Sequence, residues 1–113
     1  MERVAAASTR KMLIVDDERD IAAMLADYFS MEGYETVVAN DGSAALARAE
    51  SGADIVLLDV NMPGMDGFEV CRRLREHLAC PIIFLTARVE DVDQLDGFAA
   101  GADDYVLKPF SLE

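Results

Sequence analysis

The sequence predicts an α/β domain built on a parallel, doubly wound sheet of five strands. Short apolar runs alternate along the chain with segments of helical periodicity, and turn residues bound most of them. A continuous apolar run is typical of a strand buried on both faces, as in parallel sheets. Regular alternation of strands and helices favours a parallel sheet with right-handed crossovers, for which we expect the strand order 2-1-3-4-5.

The first predicted strand is residues 12–15, and it ends on Asp16 and Asp17. Apolar residues then recur at spacings of three and four until Gly33, which is typical of a helix with one buried face. That predicted face carries Ile21, Met24, Leu25 and Tyr28.

The second predicted strand is residues 36–39, followed by a turn at residues 40–42. Residues 44–50 predict a helix of small residues that ends near Gly52, and its periodicity is too weak to identify a buried face.

The third predicted strand is residues 55–58, which end abruptly on Asp59. A buried strand cannot hold an ionised side chain along its length without a large desolvation cost, so Asp59 must lie at the carboxyl end. Asp66, three residues before Glu69, predicts the N-terminus of the next helix. We expect this helix to bury Phe68, Cys71, Leu74 and Leu78 and to expose Arg72, Arg73 and Arg75.

The last predicted elements are a strand at residues 82–85, a helix at residues 92–99 and a strand at residues 105–107. The fourth strand ends on Thr86, the fifth on Lys108, and Ser111 resembles the cap of a further helix. We therefore expect one domain over residues 11–113 after a loose tail over residues 1–10.

The composition fits a single acidic globular domain. Of 113 residues 52% are hydrophobic, and 10 basic against 22 acidic residues give a formal net charge of −12, which argues against direct nucleic-acid binding. Cys71 and Cys80 show neither a disulfide framework nor metal-ligand spacing. Because no apolar run reaches the length of a signal-peptide core or a membrane span, we expect a cytoplasmic protein without membrane contact.

Four of the five predicted strands deliver a charged or hydroxyl side chain to the same edge of the sheet. These side chains are those of Asp16, Asp17, Asp59, Thr86 and Lys108. With the expected strand order, the three carboxylates converge at the topological switch point, where such sheets bind ligands. Neighbouring carboxylates without His or Cys suit Mg²⁺, and a carboxylate in that setting can attack phosphorus.

Four motifs lie at the predicted strand ends: IVDDE at residues 14–18, LLDVNMPGMDG at 57–67, LTA at 85–87 and GADDYVLKPF at 101–110. Together they resemble the motifs of receiver domains of two-component response regulators. The resemblance covers residues 11–113 and implies a flavodoxin-like fold. It further implies that Asp59 is the phosphoacceptor. The implied ligands of Mg²⁺ are the side chains of Asp16, Asp17 and Asp59 and the backbone carbonyl of Asn61.

The resemblance also assigns roles to residues at the fourth and fifth strands. Thr86 and Lys108 would contact the phosphoryl group, Thr86 and Tyr105 would form the switch, and Pro109 would follow a cis peptide bond.

The resemblance implies a sensor histidine kinase as the phosphoryl donor. The Lys-Pro-Phe ending is most similar to the subclass with a winged-helix DNA-binding domain, which would make the whole protein a transcription regulator. The family's last helix is missing from the sequence, so we expect an uncovered apolar patch and self-association, with exchange of elements between chains as one route.

Two other classes of function compete with a receiver. Phosphohydrolases of the haloacid-dehalogenase type share a strand-end aspartyl nucleophile and Mg²⁺, but they carry an acidic general acid where this chain has Asn61. A purely structural interaction module would not need three converging carboxylates.

Individual residues also have simpler interpretations. The acidic residues after the first strand could complement a helix N-terminus, and His77 could do the same at a helix C-terminus. The arginines at 72, 73 and 75 fit a solvated surface, Asp103 and Asp104 fit a solvated helix exit, and Met62 and Met65 fit an exposed loop.

Overall fold

The computed structural model describes residues 9–86 and 103–107. These residues form five strands and three helices. In chain order they are β1 (Lys11–Val15), α1 (Arg19–Met31), β2 (Glu35–Ala39), α2 (Gly42–Ala49), β3 (Ile55–Asp59), α3 (Gly67–Arg75), β4 (Ile82–Thr86) and β5 (Asp104–Leu107). The predicted helix at residues 92–99, most of the predicted tail and everything after residue 107 lie outside the described residues.

The strands form one parallel sheet. Their order is β2-β1-β3-β4-β5, so β1 pairs with β2 on one side and with β3 on the other. The arrangement of β2, β1, β3 and β4 confirms the predicted order, and β5 pairs with β4 at the far side. Because β1 and β3 are neighbours, the residues that follow them meet at one edge of the sheet.

Alternate side chains of the sheet enter two separate cores. Leu13 and Val15 of β1 pack in a core with residues of α2 and α3, whereas Met12 and Ile14 pack with residues of α1. All four are at most 2% exposed. Burial on both faces is the physical reason that β1 is a continuous apolar run rather than an alternating one.

Two of the described helices, α2 and α3, begin at residues whose side chains satisfy a free backbone N–H of the first turn. The carboxylate of Asp41 accepts a hydrogen bond from the Ala44 N–H, and that of Asp66 accepts one from the Glu69 N–H, which confirms the predicted cap of α3. The predicted end of α1 is also confirmed, because Gly33 follows it with a φ of +103°. None of the described helices has the length and hydropathy needed to cross a membrane.

The predicted buried face of α1 is wrong at Met24. This side chain is 44% exposed, whereas Ala22 and Leu25 are 1% and 2% exposed. Spacings of three and four are compatible with adjacent faces of a helix, and contact with the sheet selects the face that carries the small Ala22.

The predicted outward face of α3 is correct for two of its three arginines. Arg72 and Arg73 are exposed and pair with Glu69 one turn earlier. Arg75 is partly buried and pairs with Asp103, so the prediction of a solvated Arg75 is wrong. Asp103 is exposed, as expected for a solvated residue, and also forms this ion pair.

Candidate functional site

The candidate site lies where β1 and β3 end. Val15 and Leu58 are paired neighbours in the sheet, so Asp16 and Asp59 follow at matching positions on adjacent strands. Both carboxylates are taken out of solvent: Asp16 is 0% exposed and Asp59 is 3% exposed. The parallel register thus places two buried acidic residues side by side.

Asp17 completes an acidic cluster with these two residues. One carboxylate oxygen from each of Asp16, Asp17 and Asp59 lies within 4.8 Å of the others, and Asp17 is the most accessible of the three. This arrangement confirms the predicted convergence of the three carboxylates. It is also the arrangement in which one small cation could contact all three.

Hydrogen bonds orient Asp16. Its N–H donates to the Ala39 carbonyl oxygen at 3.1 Å, which extends the β1–β2 pairing by one residue. One carboxylate oxygen, Oδ1, accepts from the Glu18 N–H at 2.9 Å. The backbone carbonyl oxygen accepts from Nδ2 of Asn40 at 2.9 Å. Asp16 is therefore held at its N–H, its carbonyl and its side chain.

The loop after Asp59 is held by close backbone packing. The Val60 N–H donates to the Leu85 carbonyl at 3.0 Å, and the Gly67 N–H donates to the Val60 carbonyl at 2.9 Å. A Cβ at position 67 would overlap with the Asp59 carbonyl oxygen and the Val60 Cα. Glycine is required at position 67 because the start of α3 packs directly against the backbone of Asp59.

The donor set of the cluster fits a hard divalent cation. Carboxylate oxygens alone, without His or Cys, suit Mg²⁺ or Ca²⁺ rather than Zn²⁺. Like charges at this separation repel strongly where solvent is excluded, and a bound cation relieves that repulsion. Asp16, Asp17 and Asp59 are the described residues that could hold such an ion.

The other predicted site residues are described only in part or not at all. The backbone of Thr86 ends β4 and pairs with Leu107, and the backbone of Tyr105 pairs with Phe84. The side chains of Thr86 and Tyr105 lie outside the described part of the structure, as do Lys108 and Pro109 entirely. Asn61 is exposed two residues after Asp59.

The methionines of the loop are not exposed as the sequence suggested. Met62 is 7% exposed and belongs to the core that α2 and α3 cover, and Met65 packs against that core while partly buried. The interpretation of Met62 as a residue of an exposed loop is therefore wrong, and Met65 is only partly exposed.

Sequence reasoning also missed two residues that shape the site. Asn40 was interpreted only as part of a turn, and Gly67 only as the end of a motif. The position of Asn40 directly after β2 was a usable signal, because the second strand ends at the same edge as the first and third.

Hydrogen bonds and burial shift the pKa values of several ionisable groups in α3 and just after it. Hydrogen bonds from Arg73 and then Arg72 lower the pKa of Glu69, and the same contact raises the pKa of Arg73. Burial raises the pKa of the Cys71 thiol from 9.0 to about 11, and burial also raises that of Cys80. Both cysteines are free and, with raised pKa values, are protonated at neutral pH.

Comparison with known families gives one match over almost the whole chain. The sequence model of the response regulator receiver domain matches residues 12–113. The transcriptional regulatory protein ResD of Bacillus subtilis is 49% identical over 102 residues, which are 89% of this chain and 42% of ResD. The sensory transduction protein RegX3 of Mycolicibacterium smegmatis is 50% identical over 101 residues, covering 88% of this chain and 44% of RegX3. The chain thus spans less than half the length of these curated relatives.

Solved structures with the same fold include two bacterial proteins. The chemotaxis protein CheY4 of Vibrio cholerae aligns with a TM-score of 0.86 and 35% identity, covering 93% of this chain and 91% of that one. The response regulator TrrA of Thermotoga maritima, solved in complex with Mg²⁺-BeF, aligns with a TM-score of 0.82 and 38% identity over 93% of this chain and 91% of its own. The fold and the sequence therefore point to the same family.

Proposed function

The chain belongs to the family of response regulator receiver domains, and we propose that it is a phosphorylation switch that accepts a phosphoryl group on Asp59. The observation that carries the proposal is the convergence of Asp16, Asp17 and Asp59 within 4.8 Å. In this proposal the receiver unit begins with β1 at Lys11 and runs to residue 113.

Asp59 is the proposed nucleophile because it ends a buried strand and lies beside two further carboxylates. One of its oxygens attacks phosphorus, the P–N bond of a phosphohistidine on a sensor kinase breaks, and the bonding electron pair returns to the imidazole nitrogen. Its low exposure limits the access of water, which favours transfer from a docked donor over hydrolysis.

Asp16, Asp17, Asp59 and the backbone carbonyl of Asn61 are the proposed ligands of Mg²⁺. When bound, this ion would neutralise the charge that develops on the transferring phosphoryl group. The oxygen-only donor set supports this assignment, and the relative TrrA was solved with Mg²⁺-BeF. Thr86 and Lys108 are proposed to contact the phosphoryl oxygens.

The proposed conformational change runs from β4 to β5. A doubly charged phosphoryl group on Asp59 draws Thr86 towards it and alters the packing of Tyr105, as a shift between two existing arrangements. Direct pairing of β4 with β5 supports this route, because Thr86 and Tyr105 lie on neighbouring strands.

Sensor histidine kinases are the proposed donors, and the whole protein is proposed to regulate transcription through a winged-helix domain that binds DNA. The relatives ResD and RegX3 are named as a transcriptional regulatory protein and a sensory transduction protein. The receiver itself, with its net charge of −12, is assigned no contact with DNA. The free thiols fit a cytoplasmic location.

Self-association, with or without exchange of elements, completes the proposal. Among the described residues, β5 pairs with β4 alone, and its Val106 is 42% exposed. A strand edge of this kind can pair with a second chain. Sedimentation velocity at micromolar concentration tests this part, and a strictly monomeric protein before and after phosphorylation would exclude it.

Intact-mass measurement after incubation with acetyl phosphate and Mg²⁺ tests the central proposal. We expect a mass increment of one phosphoryl group, which is absent in Asp59→Asn and retained in Asp27→Asn, a matched change at an exposed position of α1. An undiminished increment in Asp59→Asn would exclude Asp59 as the acceptor. Sustained release of phosphate from a range of phosphomonoesters would instead favour the phosphohydrolase alternative.

A further inference from the structure

Asn40 lies at the same edge of the sheet as the acidic cluster, directly after β2. Its side chain is half-buried, and both ends of its amide group are engaged. The proposed phosphotransfer chemistry assigns no role to this residue.

The amide of Asn40 joins the two ends of the loop that carries Asp16 and Asp17. Nδ2 donates to the backbone carbonyl oxygen of Asp16 at 2.9 Å. Oδ1 accepts from Nη1 of Arg19, in the first turn of α1, at 3.0 Å. The side chain that follows β2 therefore spans the connection between β1 and α1, from its first residue to the start of the helix.

This bridge adds to the hydrogen bonds that already orient Asp16. The Ala39 carbonyl oxygen accepts from the Asp16 N–H, so the end of β2 binds both backbone groups of Asp16. With its backbone held and its Oδ1 accepting from the Glu18 N–H, the carboxylate of Asp16 has little freedom to rotate away from Asp59.

We propose that Asn40 is a positioning residue for the cation site, acting through the backbone of Asp16. The inference rests on the proposed function, because it takes Asp16 as a ligand of Mg²⁺. Hydrogen bonds around a ligating carboxylate fix its direction and strengthen metal binding. Asparagine suits this position because it offers a donor to the Asp16 carbonyl and an acceptor to Arg19 at the same time.

Charge and geometry make opposite predictions for variants of Asn40. Asn40→Asp adds a negative charge near the site, which by electrostatics alone tightens binding of Mg²⁺. The same change removes the donor to the Asp16 carbonyl and places two acceptors against each other. If Asn40 acts by positioning, both Asn40→Asp and Asn40→Ala weaken binding.

The test is a titration of the ¹⁵N-labelled protein with Mg²⁺ alone, followed by NMR. We expect a dissociation constant about tenfold weaker in Asn40→Ala, the usual effect of removing a partner of a metal ligand. In the metal-free protein we also expect a shift of the Glu18 amide resonance, because that N–H reports the position of the Asp16 carboxylate. A residue that only stabilises the fold would lower the melting temperature without either effect.

Ser30→Ala is the matched control, because Ser30 and Thr36 form the corresponding side-chain hydrogen bond between α1 and β2 away from the site. We expect this variant to bind Mg²⁺ as the parent does. Arg19→Met provides a second variant that leaves Asn40 in place. Removing this cation tightens binding by charge alone, whereas loosening the Asn40 amide weakens it.

Unchanged or tighter binding by Asn40→Ala would overturn the inference, as would tighter binding by Asn40→Asp or Arg19→Met. If the parent protein shows no binding of Mg²⁺, the proposed function fails instead, so the two failures are distinguishable.

Discussion

Arg75 forms an ion pair with Asp103 and so ties the end of α3 to the start of β5. The same guanidinium donates to the carbonyl oxygens of Leu78 and Cys80, and the Asp103 carboxylate also accepts from the Ile82 N–H at 2.8 Å. This network lies at the edge of the sheet opposite the acidic cluster, where β4 and β5 begin. It joins three parts of the chain that the sequence separates.

Removing the Arg75 guanidinium should destabilise the protein more than removing its exposed neighbour. We expect Arg75→Met to lower the free energy of unfolding by about 1–3 kcal/mol, because two carbonyls and the Asp103 carboxylate lose a charged donor. Arg72→Met, which loses only an exposed pair with Glu69, should change it by no more than about 0.5 kcal/mol. Urea unfolding followed by circular dichroism measures both, and equal effects would contradict a structural role for the Arg75 network.

Neutralising Asp16 and Asp17 should abolish stabilisation by Mg²⁺. In the parent protein, a tenfold excess of Mg²⁺ over its dissociation constant should add about 1.4 kcal/mol of stability. The double variant Asp16→Asn, Asp17→Asn should be more stable than the parent without metal, since repulsion with Asp59 is removed, and should not respond to Mg²⁺. Thermal melts with and without the ion give the answer.

The matched control for this prediction is Asp27→Asn with Glu32→Gln, which removes two exposed charges at α1 and its C-terminus. It should keep the full response to Mg²⁺. A response that survives in the Asp16 and Asp17 variant would place the ion elsewhere.

Gly67→Ala should lower both the stability of the protein and its rate of phosphorylation. The new Cβ in Gly67→Ala meets the Asp59 carbonyl oxygen and the Val60 Cα, so the loop must shift, at a cost of about 1–3 kcal/mol. Gly52→Ala is the comparison, because Gly52 has a φ of +88° but open space around it. It should cost about 1 kcal/mol of backbone strain and leave the rate of phosphorylation by acetyl phosphate unchanged. Equal rates in the two variants would show that the Asp59 loop tolerates the shift.

Stability should fall in alkaline solution because of Cys71. Burial raises the pKa of its thiol from 9.0 to about 11, so in this window the folded state keeps a proton that the unfolded state has lost. The contribution is complete below pH 9.0 and disappears as the pH rises through about 11. It amounts to something on the order of 2 kcal/mol.

Urea unfolding of the parent and of Cys71→Ala across that pH window isolates this contribution. The difference in stability between the two proteins should shrink as the pH rises, because only the parent has a buried thiol whose contribution is lost. A difference that stays constant with pH would show that the thiol is not shielded from solvent in the folded protein.

Local sequence patterns were sufficient to predict the strands and the acidic residues at their ends. The apolar runs that became β1 and β3 are buried on both faces, so their residues had to be apolar up to the point where Asp16 and Asp59 emerge. Helix caps were equally predictable at Asp66 and Gly33, because a cap depends on residues within one turn of the chain.

The predictions that were wrong concern side chains whose burial or pairing depends on residues distant in the sequence. Periodicity assigned Met24 to the buried face of α1, yet the face is selected by the sheet beneath it. Arg75 looked like its neighbours Arg72 and Arg73, but it pairs with Asp103, which is 28 residues away. Met62 was expected in an exposed loop, but that loop folds back over the core of α2 and α3.

The sequence by itself determined the alternation of strands and helices, the family and the acidic residues at the strand ends, because these follow from local burial and short motifs. The tertiary structure alone decided which individual residues meet, such as Asn40 with Asp16 and Arg19, and Gly67 with the Asp59 backbone. The contacts of Asn40 join residues that are 24 and 21 positions apart along the chain. They exist only after the parallel sheet has brought the carboxyl ends of β1, β2 and β3 to one edge.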